Sequence, residues 1–263
     1  MLTRLIVPAI LLASTVASAD GKLAQIRARG TLIVSVKNDA KHAHKDPAHY
    51  QKRGFEIELA NAIAHRILGD AAKVELKLLS RPVRLPMLAT GAVDLVISMI
   101  PVTTENASQC EFSHPYFSSG LSLLTSAGTK PMSVNDLAGK TVAFRKQSYN
   151  QYGAELQRIA DERGVKLTIR YYDSFEAAAK AVSSGEAVAM GGNFVDLDAY
   201  RTQHPGFNVN ADLLEQRQVA VAVRKGDADL LRVVNETIDD FRRSGELKKM
   251  TEKWKLPYLL AAS

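Results

Sequence analysis

Five polar residues, Ser98, Thr103, Thr104, Glu105 and Asn106, follow closely on an unbroken apolar run, Leu95–Ile97. Such a run suits a strand buried on both faces, and in open α/β sheets ligands bind at the loops where such strands end. Hydroxyls, an amide and a carboxylate on a loop there can hold a small polar molecule by hydrogen bonds. A second cluster lies in KHAHKDPAH, where His42, His44 and His49 surround Asp46. An H-x-H pair on an extended segment places both rings on one face, enough for zinc or copper with a third ligand. The same segment reads more readily as a polar loop at the cleft mouth, because alternating histidines without a cysteine or carboxylate at fixed geometry are weak evidence, and neither a metal nor a cofactor is assigned. Cys110 is the only cysteine, so no intramolecular disulfide forms, and its neighbours Gln109 and Phe112 do not surround a nucleophile. There is no GxSxG, no P-loop and no dinucleotide glycine pattern. The chemistry on view is binding.

The elements that must position these residues alternate. Residues 31–37 read as a strand, 38–53 as a loop, and Phe55, Leu59, Ile63 and Ile67 as the apolar stripe of a helix stopped at Gly69. A strand follows at 73–79, then a short helix pattern (Leu85, Met87, Leu88) stopped at Gly91, then Leu95–Ile97. After a strand at 121–126 the rhythm repeats. A turn-like helix at 134–139 leads to a strand at Thr141–Arg145 and a helix carrying Leu156, Ile159 and Ala160. Next come a strand at 166–172, a helix with Phe175, Ala178, Ala179 and Val182, and a strand at 188–190. A strand at 218–223 precedes a helix with Leu230, Val234, Ile238 and Phe241, whose stripe continues through Leu247, Met250 and Trp254. Strands separated by helices of this length predict an α/β fold with parallel pairs.

At the start, Arg4, an apolar run over residues 5–16 and the sequence Ala17-Ser18-Ala19 read as a cleavable secretory signal over 1–19. The mature chain is therefore expected to be exported. The charge balance, 34 basic against 28 acidic residues, is spread along the chain and shows no nucleic-acid footprint.

The order of GAVDLVIS, a Thr-rich loop and an FS-x-PY segment (Phe112, Ser113, Pro115, Tyr116) resembles the periplasmic solute-binding proteins that feed polar amino acids to ABC importers. VSVKND followed by GFEIELANAIA looks like the acidic-amino-acid branch. The resemblance implies a two-lobed type II periplasmic binding protein fold, with two open sheets and flanking helices joined by a two-strand hinge. It places a first lobe at 20–122, a second at 123–218 and a return at 219–263, with crossings near 121–126 and 218–222. It further implies a periplasmic monomer that hands a small-molecule ligand to an inner-membrane permease.

Carried over residue by residue, the resemblance puts Lys37 against the ligand's distal carboxylate and makes Arg84 the partner arginine of the short helix. A planar fork and a compact charge suit a carboxylate, although both residues also read as solvated surface cations. Ser98 and Thr103 fall on the loop after the third strand. The family's carboxylate-binding threonine and arginine correspond to Pro101 and Asn106, and its ammonium-binding acid to Asn193. The Ser-Gly-Thr loop becomes Lys146, Gln147 and Ser148, preceded by Arg145. A proline donates no N–H and asparagine carries no charge. These departures point to a small carboxylate or other anion, with an acidic amino acid still open. The alternatives are a dehydratase-like enzyme acting on prephenate-like acids, with Glu105 or Asp196 as acid or base, and a sensor or accessory binding protein.

Overall fold

The computed structural model describes residues 21–36, 44–45, 52–146, 150–254 and 256. The expected signal segment, Lys37, Ser148, His42, His49 and Asp46 lie outside them. In chain order the elements begin with α1 (Lys22–Arg29), β1 (Leu32–Val36), β2 (His44–Lys45), β3 (Lys52–Arg53), α2 (Phe55–Leu68) and β4 (Val74–Leu78). They continue through α3 (Arg84–Ala89), β5 (Leu95–Ile97), α4 (Thr104–Gln109), β6 (Glu111–Ser126), β7 (Thr141–Arg145) and α5 (Asn150–Glu162). The rest are β8 (Thr168–Tyr172), α6 (Phe175–Ser183), β9 (Ala189–Asn193), α7 (Phe194–Gln203), β10 (Phe207–Val209), β11 (Glu215–Val223), α8 (Ala228–Arg243) and α9 (Glu246–Lys253).

All the strands except β2 and β3 follow one hydrogen-bonded path, β4-β1-β5-β11-β6-β9-β7-β8, with β10 on β6. β1 pairs in parallel with β4 and β5, and β7 in parallel with β8 and β9, so each end of the path is a parallel α/β sheet. Between them run the long antiparallel strands β6 and β11. The amino-terminal part of β6 pairs with the end of β11 that meets β5, while Leu121–Leu124 of the same strand pair with β9. This is the α/β class read from the sequence, two sheet halves bridged by two strands.

Each half has its own core. Phe55, Leu59, Ile63 and Ile67 of α2 are buried with Val34, Ile97, Val221 and the α8 residues Leu230, Val234 and Ile238. In the other half, Leu121, Val142, Phe144, Leu156 and Ile159 pack on one side, and Ala178, Val182, Met190 and Leu197 on another. The aspartate of GAVD is structural. Asp94 is 1% exposed, accepts the Ile33 N–H at 2.8 Å and pairs with Lys22 at 2.7 Å and with Arg29, which ties α1 to the sheet. Removing one partner of such a buried pair would leave an uncompensated charge.

Several expectations are corrected. Thr104–Gln109 form a helix where a loop was expected, because Thr103 supplies an N-cap. Within the expected loop at 38–53, β2 and β3 form a two-residue antiparallel ladder. The strand expected at 121–126 begins at Glu111, with register shifts opposite Pro115 that accommodate the missing N–H. The strand expected at 188–190 runs to Asn193, and the continuous stripe from α8 into α9 is broken by Gly245 at φ 74°.

Candidate functional site

The register brings the strand ends together. β5 enters opposite Val223 and Ala222 of β11 and continues toward Val219, which pairs with Pro101. β9 enters from the other half and ends at Asn193, opposite Leu121 of β6. Val219 faces Phe117, and Glu215 faces Leu121. The carboxyl ends of both parallel sheets therefore point at the same middle section of β6 and β11, where two sets of polar loops can meet one small molecule.

From the first half come Arg84, Ser98, Thr103 and Asn106. Arg84, at the start of α3, is only 9% exposed, so it is no solvated surface cation. Its Nε donates to the Leu79 carbonyl at 3.0 Å and its Nη1 to the Ser98 carbonyl at 3.2 Å. The Ser98 hydroxyl is buried and has no hydrogen-bond partner among the described residues. Leaving it so costs about 1 to 3 kcal/mol. Thr103 Oγ1 accepts the Asn106 N–H at 3.2 Å, and Asn106 Nδ2 donates to the Pro101 carbonyl at 2.9 Å. Val102 N–H donates to the Gln218 carbonyl at 2.9 Å, stitching this loop to β11.

From the second half come Arg145 and Asn193. Arg145 is half-buried at the end of β7, and the neighbouring Lys146 is exposed and pairs with Asp173. Asn193 caps α7: its Oδ1 accepts the Val195 N–H at 3.0 Å and the Ser119 hydroxyl at 3.1 Å. Its Nδ2 donates to the Tyr152 hydroxyl at 2.9 Å. Ser119 belongs to β6 and Tyr152 to α5, so Asn193 joins three elements at the crossing.

Residue reading missed three contributors. Glu56, in the first turn of α2, has no exposed surface, and its Oε1 accepts the Met99 N–H at 2.6 Å and the Tyr116 hydroxyl at 2.7 Å. Burial, reinforced by Glu56, pushes the Tyr116 phenol well above its usual range. The legible signal was a carboxylate set among the apolar positions of FEIELA. The third contributor is Glu155 of α5, buried and bonded to Arg217 of β11. Burial and a hydrogen bond to Glu215 push its carboxyl up to about 7, against the opposing pull of Arg217. A groove of about 840 Å³ flanks the crossing strands, lined by Thr103, Thr104, Ser118, Gln216, Gln218 and Arg242 among others.

The two acids considered for catalysis lie on separate helices, α4 and α7. Glu105 is exposed on α4, and Asp196 is half-buried in the first turn of α7. Cys110 is buried and donates toward the Asn106 carbonyl, and burial raises its thiol to about 11. Among the described residues no group of three or more His, Cys, Asp or Glu side chains could hold a metal, and no helix is long and apolar enough to cross a membrane.

Two α/β halves bridged by paired strands, with polar strand ends converging on the bridge, define a solute-binding protein of the type II periplasmic class. Residues 32–257 match the model of the bacterial extracellular solute-binding proteins, family 3. The chain belongs to that family, and it is the extracytoplasmic binding component of an importer. It is similar to the ABC transporter glutamine-binding protein GlnH of Bacillus subtilis (strain 168), 26% identical over 240 residues, covering 90% of this chain and 85% of the relative. The glutamine-binding protein of Geobacillus stearothermophilus is 30% identical over 217 residues, covering 82% of this chain and 80% of the relative. Among solved structures, an ancestral amino acid-binding protein described as a precursor of cyclohexadienyl dehydratase superposes with a TM-score of 0.67. It is 30% identical and covers 89% of this chain and 99% of its own.

Proposed function

We propose that the chain binds a small carboxylate-bearing solute, an amino acid, between two lobes and delivers it to an ABC permease. The lobes comprise residues 20–122 with 219–263, and 123–218. The observation that carries this reading is the convergence of both sets of strand ends on one stretch of β6 and β11. Relatives named for glutamine and L-cystine support the solute class. Lys37, Arg84, Ser98, Thr103, Asn106, Arg145, Ser148 and Asn193 are the residues assigned to the solute, and no catalytic step is assigned to any of them. The protein acts outside the cytoplasm after removal of residues 1–19.

A second reading, an acid without an ammonium group, is favoured by Asn193, whose side chain is neutral and already hydrogen-bonded. An ammonium group taken into a desolvated cleft needs a negative partner. A thermal-shift screen over amino acids, dicarboxylates and inorganic anions tests both readings. A solute at a hundred times its Kd raises stability by about 2.7 kcal/mol. A screen in which no compound moves the melting temperature would sink the transport reading in favour of an accessory role. Turnover of a prephenate-like acid would replace it with an enzyme.

A further inference from the structure

Immediately after β5 the chain turns through Met99 at φ 51°, the one non-glycine residue at positive φ among the described residues. An L-residue holds that conformation at a cost and keeps it only where its surroundings enforce it. Rotating the Ser98–Met99 peptide plane by half a turn would carry Met99 to a φ of about −130°, in the broad extended region. Something must therefore hold the plane against that flip.

Both ends of this plane are gripped by side chains from other elements. The Ser98 carbonyl accepts from Arg84 Nη1 at 3.2 Å, and the Met99 N–H donates to Glu56 Oε1 at 2.6 Å. Glu56 is itself fixed by the Tyr116 hydroxyl at 2.7 Å, and Tyr116 is fully buried. A carboxyl with no exposed surface is costly unless its hydrogen bonds are made, and an apolar residue would fill the place more cheaply. The grip also decides where the partnerless Ser98 hydroxyl and the Ile100–Pro101 carbonyls stand relative to β11.

We propose that Glu56 is a positioning residue of the solute site, holding the Ser98–Met99 peptide in the orientation that sets the strand end from Ser98 to Pro101 against β11 and the solute. The proposal rests on the reading of these strand ends as the solute site. Glu56 touches no solute; it acts through the peptide.

The test pairs amide hydrogen exchange on the ¹⁵N-labelled protein, with no solute present, with calorimetric titration of L-glutamine. In the wild type the Met99 amide should exchange as slowly as those of β5. Exchange at the rate of an open loop would overturn the proposal without any variant. In Glu56→Leu, which keeps bulk and removes the acceptor, Met99 should exchange at least about tenfold faster while the amides of α2 keep their rates. L-Glutamine affinity should fall by about tenfold or more. Glu56→Gln, which keeps an acceptor oxygen, should restore most of both. With Met99→Gly, for which positive φ is unstrained, Glu56→Leu should cost several-fold less affinity. An equal loss in both backgrounds would mean general loosening of α2 and would overturn the proposal. A wild type that takes up no L-glutamine counts against the amino-acid reading alone, because the exchange comparison still decides the role of Glu56.

Discussion

Asn193 is engaged at both ends of its side chain before any solute arrives, with its oxygen on the α7 cap and on Ser119 and its amide nitrogen on Tyr152. An aspartate there would still cap the helix, and the Tyr152 hydroxyl would turn to donate to it. Asn193→Asp should therefore move stability by no more than about 1 kcal/mol. It places a negative charge where an ammonium group would lie, so an amino acid should bind more tightly and an ammonium-free acid more weakly. Calorimetry with L-glutamine and with succinate on both proteins checks the direction. Arg84 belongs to the same scale. Arg84→Ala strands two carbonyls it now serves, so it should lower stability by about 2 to 5 kcal/mol as well as weakening binding. Denaturant unfolding reads the first effect, and undiminished stability would mean the two bonds are not made in solution. The residue types at both positions were legible in the sequence. Their partners were not, because a backbone carbonyl 14 residues away or a tyrosine 41 residues away leaves no mark in local spacing.

The elements that repeat strongly could be read almost to the residue: α2 with its buried stripe, β7, and the apolar face of α8. Those that escaped had no period to find. α1 buries Leu23 and Ile26 but is held largely by Lys22 and Arg29 on Asp94, α7 has its apolar residues bunched at Phe194, Val195 and Leu197, and β10 is three residues, two half-buried around an exposed Asn208. The contact of α5 with β11 is likewise invisible in either segment alone, and it makes stability depend on pH. Glu155 lies three residues after Tyr152 and faces Arg217 and Glu215, while Arg158 of the same helix donates to Glu215 at 2.8 Å. A carboxyl raised from 4.5 to about 7 contributes stability that is full below 4.5 and lost as pH rises through 7. Glu215 works in the opposite sense. The hydrogen bond from Glu155 lowers its carboxyl below 4.5, so its contribution is present above that value and lost as pH falls through the lowered one. The melting temperature should accordingly decline between about pH 5 and pH 8. Glu155→Gln, which stays neutral, should flatten the decline, and an unchanged slope in that variant would remove Glu155 as its source.

At the scale of the molecule, the double crossing between halves followed only from the family resemblance, since strands paired across about a hundred residues share no local pattern. The structure shows what lets them approach. Gly120 lies on β6 opposite Gln216, and a Cβ there would stand 1.9 Å from the Glu215 carbonyl oxygen and 2.9 Å from its carbon. Both obstacles are backbone, so neither can swing aside, and Gly120→Ala must spread β6 from β11. Overpacking of this kind costs about 1 to 3 kcal/mol. The more telling effect is on geometry, because the sheet path from Ser98 in one half to Asn193 in the other runs through this pair of strands. Affinity should therefore fall further than the loss of stability alone accounts for, and small-angle scattering should show less compaction when solute is added. Gly139→Ala is the control. It sits on an exposed turn at φ 71° with nothing within 4 Å of an added Cβ, so it should cost about 1 kcal/mol of backbone strain and leave affinity unchanged. Equal losses of affinity in the two variants would show that the spacing of β6 and β11 does not govern how the halves meet the solute.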